Sequence, residues 1–151
     1  MSRSKGRGPS LIAEARTVVE TCAGMQLRMA ERLVSRFLEA RLQKSGLSLA
    51  QFSLMAQIAA ARDDTVNALA ERMGLDQSTL SRNLQALERL GLVEIVVAEA
   101  DLRRRAVWLT ETGVRRLQAA LPAWREAQTQ IDEALDVGKI RRIAHQATSL
   151  G

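Results

Sequence analysis

The sequence is short of cysteine, histidine and aromatic residues, and each shortage excludes a class of site. Its 151 residues include one cysteine, Cys22, one histidine and no tyrosine. A single cysteine forms no intrachain disulfide and no cysteine-based metal cluster, and a lone histidine makes a poor metal site. Aromatic residues make up only 3% of the chain. The core must therefore be built from aliphatic side chains.

Long apolar runs and the common enzyme motifs are missing as well. No run approaches the roughly 18 apolar residues of a membrane span, and the basic N-terminus is not followed by the apolar segment of a secretory signal. We therefore expect a cytoplasmic protein with no membrane partner. There is no glycine-rich phosphate loop, nucleophile elbow or metal-ligand spacing. We expect a protein that is not an enzyme and that binds no cofactor or metal ion.

The chain is basic, but its charge is unevenly placed. The formal net charge is +5. Residues 65–110, where the motifs described below are found, hold six arginines and six carboxylates and are neutral overall. Total charge is therefore weak evidence for a nucleic-acid partner, and the placement of individual arginines has to decide the question.

Apolar residues recur at steps of three and four along most of the chain, which predicts a mainly α-helical domain over residues 10–151 after a disordered basic tail at 1–9. A β-branched run at 92–97, a polar turn at 98–102 and an alternating segment at 103–109 predict a β-hairpin. Pro122 is expected to kink the helix that contains it. The predicted helices cover 10–45, 48–61, 65–73, 77–90, 110–135 and 136–150, and the strands 92–97 and 103–109.

Two of the short helices have the spacing of a DNA-binding motif. Gly74 ends one helix and Asp76 caps the next, and a turn of this length containing glycine is typical of a helix-turn-helix. The hairpin that follows would be its wing. This predicts a winged helix-turn-helix over 48–110, with long helices at 10–45 and 111–151 on either side.

The helix from Gln77 to Leu90 has one aliphatic face and one polar face. Leu80, Leu84 and Leu87 share the first. The polar face carries hydroxyl, amide and guanidinium groups, which suit phosphate oxygens and base edges. Arg82 is suited to binding guanine, and Gln85 to binding adenine. An ordinary solvated surface helix is the alternative. The candidate DNA-binding residues on this helix are Gln77, Ser78, Thr79, Ser81, Arg82, Gln85 and Arg89.

The predicted wing adds three arginines at or just after its tip: Arg103, Arg104 and Arg105. A wing can insert an arginine into the minor groove while the helix occupies the adjacent major groove. Asp101 would brace a neighbouring arginine by a charge-assisted hydrogen bond.

In order and spacing, these motifs resemble the MarR (multiple-antibiotic-resistance regulator) family of winged-helix transcription factors. Gly46-Leu47-Ser48 with Gln51-Phe52 is similar to the entry to that family's second helix. The departure is at the first wing strand and the tip, where Glu94 and Glu99 lie in a stretch in which the family often has a basic residue and a proline. The other matching stretches are Asn67 to Asp76, Ser78 to Arg82, Leu87 to Val93, Asp101 to Arg103, and Leu109-Thr110.

The resemblance implies a homodimer that binds a pseudo-palindromic operator in double-stranded DNA, usually as a repressor. It also implies a possible small-molecule effector, because many members of the family release the operator when they bind one. It implies a recognition helix at 77–90 and a wing arginine at Arg103. The apolar stripes on the terminal helices independently favour burial against a second copy. Two recognition helices would then lie roughly 34 Å apart, one turn of DNA.

Two alternatives remain at this stage. One is a winged-helix protein-interaction module that has lost DNA binding. The other is a redox-sensing regulator that uses Cys22, because some members of the family sense oxidants through a cysteine. Cys22 lies on the apolar stripe of the first helix, which favours a buried structural residue. It is also about two residues early for the sensor register.

Overall fold

The computed structural model describes residues 10–61, 65–98 and 101–150, with the backbone alone at positions 98 and 101–104. In these parts the chain is mainly helical, with one two-stranded antiparallel sheet, so the predicted fold class is confirmed. The predicted tail at 1–9 lies outside the described residues. The elements are α1 (Leu11–Thr21), α2 (Ala23–Leu42), α3 (Leu49–Ala60), α4 (Val66–Met73), α5 (Gln77–Arg89), β1 (Val93–Ala98), β2 (Asp101–Leu109), α6 (Glu111–Ala134) and α7 (Val137–Ala147).

The chain divides between Arg36 and Phe37 into two compact units, which are described separately. The first unit contains α1 and most of α2. The single helix predicted over 10–45 is wrong, because Cys22 interrupts it. The residue adopts an extended backbone with ψ of 107°, and its carbonyl accepts from the N–H groups of Met25 and Gln26 to begin α2.

Local competition for hydrogen bonds explains this interruption. The Thr17 and Thr21 hydroxyls donate to the carbonyls of Ala13 and Thr17 at 3.1 and 2.7 Å, a pattern that bends and weakens helices. The same turn is rich in β-branched side chains, which lower helix propensity. Gln26 Nε2 then donates to the Val19 carbonyl at 3.2 Å, satisfying an acceptor near the end of α1.

The core of the second unit lies among α3, α4, α5, the hairpin and α6. Phe52 on α3 packs against Trp124 on α6, with ring centroids 6.1 Å apart. The remaining core is aliphatic, as the composition predicts. Its largest fully buried side chains are Leu42, Leu54, Met55, Leu69, Leu80, Leu84, Leu87 and Leu92.

Most helix boundaries follow the capping signals in the sequence. Ser48 and Gln51 form a reciprocal capping box at the start of α3. Thr65, Asp76, Thr110 and Asp136 each accept a backbone N–H at the start of a helix. Pro122 lies inside α6, which continues to Ala134, so the kink expected there stays a prediction.

The hairpin is longer on its second strand than the sequence predicted. Residues pair from Val93↔Leu109 to Val97↔Arg105, and the register then shifts so that Ala98 pairs with Asp101. Positions 101 and 102 therefore belong to β2, not to a turn. On β2, positions 102–104 therefore lie between Arg105, which pairs with Val97, and Asp101, which pairs with Ala98, as in a bulge.

The hairpin joins α6 through a tight junction. Leu92 accepts the Thr110 N–H at 3.1 Å, and the Thr110 hydroxyl donates to the Gly91 carbonyl at 2.6 Å. Gly113 sits directly against the Leu92 carbonyl, where a Cβ would lie 2.0 Å from its oxygen. This junction fixes where the wing leaves the core.

No helix in the described parts of the chain is both long and apolar enough to cross a membrane.

Candidate nucleic-acid interface

Helix α5 presents a polar face to solvent because its apolar face is fully committed to the core. Leu80, Leu84 and Leu87 are 0%, 2% and 0% exposed, which confirms the predicted buried stripe. Thr79 and Ser81 are half-buried at the edge of the polar face. The other five candidate residues of this helix are exposed: Gln77, Ser78, Arg82, Gln85 and Arg89.

The first turn of α5 is organised around the carboxylate of Asp76. Its Oδ1 accepts from the Thr79 N–H and the Ser78 hydroxyl, both at 2.7 Å, and its Oδ2 accepts from the Thr79 hydroxyl at 2.9 Å. The Thr79 backbone N–H is the largest cause of the low pKa of Asp76, which falls from 3.8 to about 2. The two hydroxyls and the charge of Arg82 lower this pKa further. The group is therefore ionised at neutral pH.

Two further contacts orient side chains on the exposed face of α5. An Arg82 guanidinium nitrogen lies 3.5 Å from the Thr79 hydroxyl oxygen. The Gln77 amide donates to Asn67 Oδ1 on α4 at 3.1 Å, so the two helices of the motif are joined through exposed side chains. Sequence reasoning missed Asn67. The sequence feature that could have indicated it is a polar side chain on the exposed side of α4, ten residues before Gln77.

The wing contributes a different set of contacts. Arg105 is half-buried, and one guanidinium nitrogen lies 3.5 Å from the Ser81 hydroxyl of α5. It therefore reaches from the wing to the helix. The side chains of Asp101, Arg103 and Arg104 lie outside the described residues, so the bracing and minor-groove roles expected of them stay predictions.

The solvent-facing side of the hairpin carries no cation among its described side chains. Glu94 pairs with Trp108 across the strands, and Trp108 Nε1 donates to Glu94 Oε2 at 3.1 Å. Val96 lies on the same face and is 39% exposed. Trp108 thus joins the two strands of the wing through its side chain.

Cys22 is a free thiol at the break between α1 and α2. It is half-buried in the single chain, and its structural or redox role stays a prediction. Within the described parts of the chain, no three His, Cys, Asp or Glu side chains come close enough to hold a metal ion.

This architecture matches known regulators. Residues 45–104 match the model of the MarR family. The transcriptional regulator MosR of M. tuberculosis, in a crystal structure with DNA, is 34% identical, with a TM-score of 0.78 and coverage of 85% of this chain and 96% of MosR. The chain belongs to the MarR family.

Curated relatives match over a shorter region. An uncharacterised HTH-type transcriptional regulator of Bacillus cereus is 35% identical over 81 residues, which span 54% of this chain and 53% of the relative. The transcriptional regulator HosA of Escherichia coli is 38% identical over 76 residues, spanning 50% of this chain and 56% of HosA. The chain thus spans about half the length of the curated relatives it matches.

Proposed function

We propose that this MarR-family chain is a transcriptional regulator that binds a pseudo-palindromic operator as a homodimer and represses a nearby promoter. The observation that carries the proposal is that α5 has two chemically distinct faces. Its aliphatic face is wholly buried, and the opposite face exposes amide, hydroxyl and guanidinium groups with few carboxylates. The similarity to MosR, which has been solved with DNA, supports the same assignment.

In the proposed complex α5 lies in the major groove. Arg82 and Gln85, in the middle of the helix, are placed to bind base edges, with Arg82 suited to guanine O6 and N7 and Gln85 to adenine. Gln77 and Arg89 lie at the two ends of the helix, where phosphates flank the groove. Arg103 and Arg104 of the wing are assigned to the adjacent minor groove, with Asp101 bracing them.

The homodimer is supported by apolar side chains that the single chain leaves in water. In the first unit, Leu11, Ile12 and Leu27 are 80%, 67% and 49% exposed. In the second unit, α7 exposes Ile140 and Ile143. Exposure of this extent is unusual for a monomer and is relieved by association. Sedimentation equilibrium should give twice the chain mass, and Ile143→Asp should shift the protein toward monomer.

A small-molecule effector that releases the DNA completes the proposal and rests on the family alone. The cleft between α3 and α5, lined by Ser48, Gln51, Leu54 and Asn83, holds about 140 Å³. Small-molecule sites typically occupy about 300–1,000 Å³, so this cleft is not assigned to an effector.

The test is a fluorescence-anisotropy titration with DNA from immediately upstream of the gene, at two salt concentrations and with excess nonspecific competitor. Competitor-resistant binding is the expected result. Arg82→Ala should weaken it about 5- to 100-fold, the value of a good base contact. A protein-interaction module would instead show weak binding that competitor removes and that Arg82→Ala leaves unchanged. Lys139→Ala, on the exposed surface of α7, is the control for loss of one cation.

A further inference from the structure

The two hydroxyl groups at the start of α5, those of Ser78 and Thr79, already donate their protons in hydrogen bonds to Asp76. Ser78 donates to Asp76 Oδ1 at 2.7 Å, and Thr79 donates to Asp76 Oδ2 at 2.9 Å. The Asp76 pKa of about 2 keeps this carboxylate ionised, and an ionised carboxylate only accepts. Neither hydroxyl can donate to DNA without leaving a charge-assisted hydrogen bond.

The oxygen atoms of the two hydroxyls differ in what they have left to offer. A hydroxyl has one proton and two acceptor lone pairs. Thr79 is half-buried, and its oxygen already accepts from Arg82 at 3.5 Å. Ser78 is exposed, and among the described residues its hydroxyl makes one hydrogen bond, which it donates to Asp76. Ser78 therefore presents acceptor lone pairs to the solvent side of the helix.

We propose that Asp76 is a positioning residue that holds Ser78 as a hydrogen-bond acceptor, so that Ser78 binds an exocyclic amino group of a base and not a phosphate. The inference rests on the proposed function. In the major groove, amino groups are found on cytosine N4 and adenine N6, whereas guanine offers N7 and O6 and thymine offers O4, all acceptors. Phosphate oxygens are acceptors too, and their charge is repelled by Asp76.

The experiment deletes single amino groups from the operator. After selection of an operator with the wild-type protein, each cytosine is replaced in turn by 2-pyrimidinone and each adenine by purine, and affinity is measured by anisotropy. We expect one deletion per half-site to weaken wild-type binding about 2- to 10-fold, the value of one hydrogen bond. The same deletion should have no further effect on Ser78→Ala. The position identifies the base as cytosine or adenine.

Asp76→Ser tests the positioning role. Its hydroxyl can still cap the Thr79 N–H, while the proton of Ser78 is released. We expect the effect of the amino deletion to shrink below twofold in Asp76→Ser, with helical circular dichroism unchanged. Asp136→Ser makes the same substitution at the cap of α7 and should keep the wild-type response.

Three results would overturn the inference. In the first, no amino deletion couples to Ser78→Ala while a neutral methylphosphonate at one phosphate does. In the second, Asp76→Ser responds to the amino deletion as strongly as the wild type does. In the third, the wild-type protein selects no sequence that resists competitor, and then the proposed function fails as well. The first two results leave specific binding intact, so the failures are distinguishable.

Discussion

Replacing Gly113 with alanine reverses the usual effect of that substitution. Helix propensity favours alanine by about 1 kcal/mol, and Gly113 is not among the glycines with positive φ, so its backbone imposes no strain on alanine. The new Cβ, however, would lie 2.0 Å from the Leu92 carbonyl oxygen and 2.9 Å from its carbon. That carbonyl is held by the Thr110 N–H at 3.1 Å, so α6 or the hairpin has to move.

The magnitude follows from these opposing effects. Overpacking typically costs about 1–3 kcal/mol, and more when backbone must shift. Because backbone must shift here, we take the upper end of that range, about 3 kcal/mol. After subtracting the propensity gain of about 1 kcal/mol, we expect the free energy of unfolding to fall by about 2 kcal/mol, which corresponds to a Tm about 4–8 °C lower for a chain of this size. Urea and thermal unfolding followed by circular dichroism measure both quantities. Protein concentration must be fixed, because dimer stability depends on it.

Gly24→Ala is the matched control for this measurement. Gly24 also lies in a helix, but its added Cβ would meet only the flexible Arg28 guanidinium, at 3.8 Å. We expect this variant to gain about 0.5–1 kcal/mol. The reasoning is refuted if Gly113→Ala is as stable as the wild type or more stable.

Three further predictions concern the candidate interface and Cys22. The folded-state pKa of Asp76 lies below its unfolded value, so its contribution to stability is present above about pH 4 and is lost as the pH falls through about 2. Over that window Asp76→Ala should lose less stability than the wild type. Parallel pH profiles of stability for the two proteins would contradict this. Arg105→Ala should weaken operator binding about 5-fold by freeing the wing from Ser81, and Arg105→Lys should not restore it; full rescue by lysine would indicate a simple charge contact. Hydrogen peroxide should leave operator affinity unchanged, since Cys22 is half-buried and has no second cysteine of its own chain with which to close a disulfide. A loss that Cys22→Ser abolishes, through oxidation of the thiol or a disulfide between two copies of the chain, would establish the redox alternative.

The features predicted correctly from sequence are those set by neighbouring residues. The capping box at Ser48, the helix end at Gly74, the cap at Asp76 and the aliphatic face of α5 depend on contacts within about four positions. Periodicity and capping chemistry report such contacts directly. The interruption at Cys22 is also local, but it results from a competition between helix propensity and threonine back-bonding that apolar periodicity does not register.

Contacts between elements could not be predicted in this way. The bond between Arg105 and Ser81 spans 24 positions, and the bond between Gln77 and Asn67 joins two helices. In sequence, Arg105 is one of three consecutive arginines, and nothing distinguishes it from Arg103 or Arg104. Only the hairpin register, which places Arg105 opposite Val97, brings it beside α5.

The placement of charge affects how the proposed interface would distinguish operator from other DNA. Affinity for any sequence comes mainly from cations that neutralise phosphates, yet the described outer face of the hairpin presents Glu94, Val96 and Trp108, and the first turn of α5 is built on the Asp76 carboxylate. Both features weaken sequence-independent attraction. Neither prevents Arg82, Gln85 or an acceptor at Ser78 from binding base edges. Since specificity is the ratio of these two affinities, a wing whose described outer face lacks cations is compatible with a selective regulator whose contacts with bases remain in place.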